Sequence, residues 1–257
     1  MTSSPDYSAV AETYARLRPG YPPEVFDDIV ALTELPEGAS ILEIGPATGQ
    51  ATLPLAERGY RVTGVEADPM LAGQARRSMM SFPDVQFHVS RFEDWRLPPE
   101  PFDLVLSASA FHWIDPAVRF VKSASALKRG GHIAVINTYH VRGGTEGFFD
   151  EVQSCYRQHM PDAPTRELRS ADAIAPSTGA YEASGLFTAP QARRYTWQQT
   201  YSARVYTDLL STYPDHMALT NETRTALLDC IASLIVDRYG GSVTRQYLTE
   251  LVIARKR

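Results

Sequence analysis

The chain has 257 residues, of which 44% are hydrophobic and 21% charged, and its formal net charge is −5 at pH 7. This length suits one large domain or two small ones, and the composition excludes a disordered or collagen-like chain. The negative charge argues against nucleic acid as a partner, and no apolar run approaches the roughly 18–20 residues that a membrane helix needs.

Strand-like and helix-like segments alternate through the first half of the chain. Hydrophobic spacing and turn residues predict strands at 40–44, 61–65, 85–89, 102–107 and 132–138. They predict helices at 22–32, at 70–78 and between 115 and 128, and a further helix that runs from the glycine turn at 45–49 to about residue 58. Such alternation predicts an α/β fold with a parallel sheet and helices on both faces.

The pattern is looser after residue 138. It predicts helices at 148–159, 203–212 and 221–239, and strands at 193–200 and 243–255. No repeat or linker interrupts the chain, so we expect one domain over residues 1–257.

Two features of the sequence bear on cellular location. The first residues lack the basic and apolar regions of a secretory signal. Cys155 and Cys230 lie far apart and form no metal-binding pattern, which predicts reduced thiols used as small apolar side chains. We therefore expect a cytoplasmic protein without a metal site.

A glycine turn follows the first predicted strand, in Ile41-Leu-Glu-Ile-Gly-Pro-Ala-Thr-Gly49. Gly45 and Gly49 let a ligand approach the backbone, whose N–H groups face it at the start of the next helix. Glu66 ends the second strand, where a carboxylate accepts hydrogen bonds from ribose hydroxyls. These features predict an adenosine-containing ligand at the carboxyl edge of the sheet.

The spacing of the glycines distinguishes between kinds of adenosine ligand. In the register of a dinucleotide fingerprint, Ala47 and Gln50 stand where the second and third glycines belong. A ligand that has adenosine but no phosphate, such as S-adenosylmethionine, therefore fits better. An NAD-dependent oxidoreductase on the same fold and a non-catalytic adenosine-binding protein stay open as alternatives.

Several segments between residues 7 and 138 resemble the class I S-adenosylmethionine-dependent methyltransferases. Glu43 to Gly49 is similar to the family motif E-x-G-x-G-x-G, with Ala47 replacing the middle glycine. Further similar segments are Gly64 to Glu66, Ser90 to Trp95, Phe102 to Ser107 and Leu127 to Ile133. Residues 9–22 resemble the N-terminal lid of small-molecule methyltransferases, and residues 110–115 a segment of the trans-aconitate methyltransferase-like group.

This resemblance implies a fold, an activity and a set of site residues. The fold is a Rossmann-like seven-stranded, mostly parallel sheet whose last strand is antiparallel, with an N-terminal lid at 1–22 and a substrate-side insertion at 139–190. The activity is methyl transfer from S-adenosyl-L-methionine to an O, N or C nucleophile of a small organic molecule. The implied cofactor-binding residues are Glu43, Gly45, Ala47, Gly49, Glu66, Ala67, Arg91, Phe92, Glu93 and Ser107.

His112 is the candidate catalytic residue, because a neutral imidazole can accept a proton near pH 7. Alternatively, it only hydrogen-bonds the ligand or its own loop. Tyr14, Arg18 and Tyr21 either receive a substrate anion or hold the N-terminal segment in place, and Trp113 is expected beside the substrate. Phe92 either lies against adenine or packs in the core, and the acceptor and the choice between monomer and homodimer stay open.

Overall fold

The computed structural model describes residues 7, 9–162 and 167–257. The strands are β1 (Ser40–Ile44), β2 (Arg61–Glu66), β3 (Val85–Val89), β4 (Phe102–Ala108), β5 (Leu127–Gly144), β6 (Gln191–Ser202) and β7 (Ser242–Arg255). They form one seven-stranded sheet in the order β3-β2-β1-β4-β5-β7-β6. The helices are α1 (Ala11–Leu17), α2 (Pro23–Thr33), α3 (Thr52–Glu57), α4 (Pro69–Ser78), α5 (Pro116–Ala126), α6 (Glu146–Glu151), α7 (Gln153–His159), α8 (Gly179–Ser184), α9 (Ala203–Leu210), α10 (Pro214–Met217) and α11 (Asn221–Arg238).

Strand direction changes at β7, which runs opposite to both of its neighbours, β5 and β6; Gln198 faces Gln246 and Thr200 faces Thr244 across the β6–β7 pair. The pairs from β3 to β5 are all parallel. The β5–β7 pair is antiparallel, since Thr145 N–H donates to Thr244 O near one end and Lys256 N–H donates to Gly131 O near the other. The predicted Rossmann-like sheet with an antiparallel last strand is therefore confirmed.

The described residues form two compact units. We call Pro19–Thr138, Pro176–Tyr195 and Thr249–Arg257 the sheet unit. The helical unit comprises the described residues of Met1–Arg18, Tyr139–Ala175 and Thr196–Leu248. The single domain with its lid and insertion stays a prediction, and residues 1–6, 8 and 163–166 of those segments lie outside the described residues.

The core of the sheet unit lies on both faces of its strands. Because successive strand residues point to opposite faces, Leu42 packs in one buried cluster while Ile41 packs in another. The first cluster includes Phe120 of α5, and the second includes Phe26 of α2 and Leu55 of α3. Helices thus cover both faces, as the alternating pattern predicted.

A disulfide joins Cys155 of α7 to Cys230 of α11 in the helical unit. The prediction of two reduced thiols was wrong. The two helices pack together and bring the Cα atoms to 5.9 Å, within the usual range for a disulfide. The 75-residue separation in sequence gave no sign of this proximity.

Two element boundaries also differ from the prediction. β5 includes the expected turn before residue 132 and continues to Gly144, where Thr244 of β7 lies against it. Where a single helix was predicted at 148–159, the structure has two: α6 ends at Glu151, α7 begins at Gln153, and Val152 lies between them. Among the described residues, no helix combines the length and apolar character that a membrane span needs.

Candidate functional site

Three neighbouring strands of the sheet unit end at the same edge. β2, β1 and β4 are adjacent and parallel, so the turns that follow them lie close together. These turns contain Gly45–Gly49, Ala67–Asp68 and Ser109–Trp113. Ligands of open α/β sheets bind beyond the carboxyl ends of the strands, which makes this edge the candidate site.

The turn after β1 packs directly against the turn after β4. Gly45 has a φ of +68°, and a Cβ added there would lie 2.5 Å from Ala110 Cβ. Ala47 has a φ of +51°, an uncommon conformation for a residue with a side chain. Gly45 is thus required for a close approach within the protein, a contact that sequence reasoning missed because Ala110 is distant in the chain.

Glu66 ties together the turns after β1 and β2. Its Oε2 accepts the Ala47 N–H at 2.9 Å, and its Oε1 accepts the Asp68 N–H at 2.9 Å. Burial raises the pKa of Glu66, although these two hydrogen bonds oppose the rise. A carboxylate has about four lone-pair positions, so Glu66 can accept further hydrogen bonds from a ligand.

Glu43 is a second buried acid at this edge, with 1% of its surface exposed. The Thr52 hydroxyl donates to its Oε2 at 2.6 Å. Burial raises the pKa of Glu43 to about 7; the Thr52 hydrogen bond opposes this rise and the negative charge of Glu66 adds to it. A cation near Glu43 would favour its ionised form, because opposite charges lower a carboxyl pKa.

The three implied cofactor-binding residues that follow β3, Arg91 to Glu93, comprise one buried aromatic and two polar side chains. Phe92 is buried in the core cluster that contains Leu42. Arg91 and Glu93 form an ion pair at 3.4 Å, and Glu93 also accepts the Asp115 N–H at 3.0 Å. The structure therefore places Phe92 in the core and leaves Arg91 exposed.

Ser107 and Ala67 occupy contrasting positions. Ser107 is fully buried, and its hydroxyl donates to Ile44 O at 3.0 Å, which links β4 to the end of β1. Ala67, directly after Glu66, is exposed. Ser107 thus braces the strand ends, while the chain at Ala67 is accessible to a ligand.

His112 lies in a short 3₁₀ helix, Phe111–Trp113, directly after β4. Its ring is 5.0 Å from the ring of Trp113, whose exposed fraction is 61%. Partial burial, and then the positive charge of Arg119, lower the pKa of His112. The imidazole is consequently neutral at pH 7, the form that can accept a proton.

The three aromatic and basic candidates near the N-terminus divide between the units. Tyr21 belongs to the sheet unit, where its hydroxyl donates to Ser109 Oγ at 3.3 Å. Tyr14 and Arg18 belong to the helical unit. There Arg18 lies 4.8 Å from the centre of the Tyr14 ring and donates to Thr212 Oγ1 at 3.0 Å.

A protein-family model described as a methyltransferase domain matches residues 41–131, from β1 into the start of β5. Residues 41–131 are therefore similar to a methyltransferase domain. The matched stretch contains the glycine turn, Glu43, Glu66 and His112. The resemblance to class I S-adenosylmethionine-dependent methyltransferases is confirmed.

Known relatives match this chain over part or most of its length. An uncharacterized methyltransferase of Mycobacterium bovis is 33% identical over 140 residues, which are 54% of each chain, so this chain spans about half the length of that relative. The trans-aconitate 2-methyltransferase of an Azoarcus species is 28% identical over 178 residues, covering 68% of this chain and 65% of that one.

A solved structure shows the same fold. It is a Haemonchus contortus phosphoethanolamine N-methyltransferase in complex with phosphomonomethylethanolamine and S-adenosylhomocysteine. The match has a TM-score of 0.54 and 17% sequence identity, and covers 96% of this chain and 56% of that one. At this identity the likeness concerns the fold.

Proposed function

We propose that this chain transfers the methyl group of S-adenosyl-L-methionine to an O, N or C nucleophile of a small organic molecule, releasing S-adenosylhomocysteine. The observation that carries the proposal is Glu66, buried between two turns of a methyltransferase domain with acceptor positions to spare. The bound S-adenosylhomocysteine of the Haemonchus contortus enzyme supports the cofactor. The name of the Azoarcus relative supports a small organic acceptor.

The residues at the strand ends fit this cofactor. Glu43 and Glu66 are both buried, and neither has a cationic side-chain partner among the described residues. S-Adenosylmethionine carries an ammonium and a sulfonium, so it would supply positive charge to this acidic edge. A dinucleotide would instead bring a pyrophosphate to the glycine turn that follows Glu43, which disfavours the oxidoreductase alternative.

Each side chain has a defined part in the proposal. Glu66 binds the ribose hydroxyls while its backbone hydrogen bonds hold the turns in place. Glu43 faces the positive charge of the ligand, and Thr52 orients its carboxyl group. The cofactor supplies a methyl group that its sulfonium already makes electrophilic, so the protein contributes mainly alignment and exclusion of water.

A ligand-binding experiment tests the cofactor assignment. We expect S-adenosylhomocysteine to raise the Tm of the protein and NAD to leave it unchanged. Glu66→Ala should weaken S-adenosylhomocysteine binding by about 2–4 kcal/mol, since two hydrogen bonds to a charged acceptor are lost. Glu57→Ala, at an exposed position of α3, is the matched control. Equal affinity in both variants, measured by calorimetry, would refute the assignment.

His112 is the proposed general base for an acceptor that holds its proton at pH 7. For a hydroxyl acceptor we expect His112→Asn to lower kcat by about 100-fold while the affinity for S-adenosylhomocysteine stays unchanged. S-Adenosylhomocysteine formation with a panel of small acceptors that includes trans-aconitate measures this effect. If Tm falls and the rate per folded molecule stays constant, His112 has only a packing role.

Location and partners complete the proposal. We propose a monomer or homodimer without nucleic acid or membrane partners. A cytoplasmic location stays a prediction. The Cys155–Cys230 disulfide bears on it, because disulfides are uncommon in reducing compartments.

A further inference from the structure

Arg245 of β7 is a buried cation in the helical unit, with 9% of its surface exposed. Its guanidinium lies 4.9 Å from the centre of the Phe149 ring and 5.8 Å from that of Tyr206. Its Nε is buried without a hydrogen-bond partner. Among the described residues, no carboxylate forms an ion pair with Arg245.

The groups around Arg245 are tyrosines rather than acids. Burial alone would lower the pKa of Arg245, but Tyr206, Tyr213, Tyr247 and Tyr156 outweigh it and the pKa is raised. An arginine side chain stays charged at any physiological pH, and so does Arg245. Tyrosine hydroxyls are neutral below about pH 10, so they offer hydrogen bonds and leave the charge uncompensated.

Two acidic side chains of the same unit are engaged elsewhere. Asp215 contacts His216 Nδ1 at 3.2 Å, and Glu151 pairs with Arg238 at 2.8 Å. Buried charges in proteins are normally paired, and isolated ones are strongly unfavourable. Stacking on aromatic rings offsets only part of that cost.

Arg18 adds a second positive charge near the same tyrosines. Its guanidinium lies 4.1 Å from the centre of the ring of Tyr213, one of the tyrosines that raise the pKa of Arg245. Its hydrogen bonds go to the hydroxyl and the carbonyl oxygen of Thr212, which are neutral groups. Arg18 thus also lacks an acidic partner among the described residues.

We propose that Arg245, Arg18 and the surrounding tyrosines bind the carboxylate groups of a small organic acid. A carboxylate matches the planar guanidinium fork with two parallel hydrogen bonds and supplies the missing negative charge. Half-buried Tyr156 and Tyr213 have hydroxyls that lie 3.1 Å from His216 Nε2 and 3.5 Å from His140 Nε2 and can also donate to the same oxygens. Aromatic rings around the site suit the carbon skeleton of such an acid.

This inference does not depend on methyl transfer, because binding is measured on the protein without cofactor. The probes are benzoate, succinate and trans-aconitate, with benzamide and succinamide as neutral analogues and inorganic phosphate as a second anion. We expect at least one carboxylate to bind and raise Tm, and its neutral analogue to do neither. Failure of every carboxylate to bind, or equal binding of phosphate, would overturn the proposal.

Substitutions then locate the site. We expect Arg245→Met and Arg18→Gln each to weaken carboxylate binding by about 10- to 100-fold, as charge-assisted hydrogen bonds are lost. Arg204→Gln is the control, since the Arg204 side chain is 91% exposed on α9 of the same unit. Equal binding by all three variants would place the carboxylate elsewhere and refute the proposal.

The Tm of ligand-free protein separates binding from bracing. Replacing an uncompensated buried charge with an apolar side chain is often neutral or stabilising, so the Tm of Arg245→Met should not fall. A lower Tm with intact carboxylate binding would make Arg245 a structural brace and contradict the proposal. If Arg245→Met lowers the Tm and also loses carboxylate binding, the variants Arg18→Gln and Tyr213→Phe decide between the two roles. Loss of carboxylate binding in these variants supports the site, and unchanged binding refutes it.

Discussion

Glu43 is a carboxyl group with almost no contact with water, and its ionisation opposes folding. Its pKa is about 7 in the folded protein against an ordinary value of 4.5. Protonated Glu43 is therefore favoured in the folded state, and the unfolding free energy declines as pH rises from about 4.5 to 7. Above pH 7 the full penalty is present, about 3 kcal/mol from the difference in pKa.

Glu43→Gln tests this pH dependence without changing the shape of the side chain. The variant should have an unfolding free energy higher than that of the unaltered protein by up to about 3 kcal/mol at pH 8. The gain should disappear near pH 4.5, where Glu43 of the folded protein is protonated and therefore neutral, like the glutamine of the variant. Urea denaturation at several pH values measures it, with Glu57→Gln as the exposed control. A gain independent of pH would show that Glu43 is ionised throughout.

At the residue scale, the sequence revealed side chains whose chemistry follows from local context. Glu66 was predicted from its place at a strand end, and the structure shows it holding two turns together. Thr52 was missed as the partner of Glu43 because a threonine on a helix is unremarkable by itself. For Phe92, the sequence left adenine contact and core packing open, since an aromatic residue suits both environments, and the structure places it in the core.

Gly45 shows how one residue controls the meeting of two elements. Gly45 and Gly38 have nearly the same φ, +68° and +66°, but only Gly45 has a neighbour where a Cβ would be. Gly38→Ala should cost about 1–2 kcal/mol for left-handed backbone alone. Gly45→Ala should cost about 1–3 kcal/mol more, because its Cβ would collide with that of Ala110.

Denaturation of both glycine variants measures this difference. S-Adenosylhomocysteine binding should also weaken in Gly45→Ala and stay unchanged in Gly38→Ala, since only Gly45 lies in the candidate site. Equal losses of stability in the two variants would mean that the turn after β4 moves away at little cost.

At the element scale, predictions succeeded where the pattern is local. Strands β1 to β4 were placed within a residue or two because short apolar runs are bounded by turn residues. A helix was predicted between 115 and 128, and the Asp115 carboxylate caps α5 by accepting the Ala117 N–H at 2.8 Å. The length of β5 could not be predicted, since its last residues pair with β7, a strand about 100 residues later.

At the scale of the whole molecule, residues far apart in the chain form contacts that no local sequence pattern reveals. Both halves of the Cys155–Cys230 disulfide lie on helices that the sequence placed correctly in outline, yet their packing was not predictable from either helix. The division into a sheet unit and a helical unit has the same origin, because each unit is assembled from separate stretches of chain. Charge, in contrast, is a property of the whole molecule that the sequence gives directly.

That charge leads to a prediction about nucleic acids. With a formal net charge of −5, the protein as a whole repels a phosphate backbone, and its basic residues occur in short clusters such as Arg76-Arg77 and Lys128-Arg129. A protein that neutralises 6–10 phosphates loses about 10³- to 10⁵-fold in affinity between 50 and 200 mM salt. We expect no binding of a generic duplex by fluorescence anisotropy at either concentration. Binding that weakens steeply over this range would mean that one of these clusters contacts phosphates, and would overturn the proposal of a small-molecule acceptor in favour of a nucleic acid.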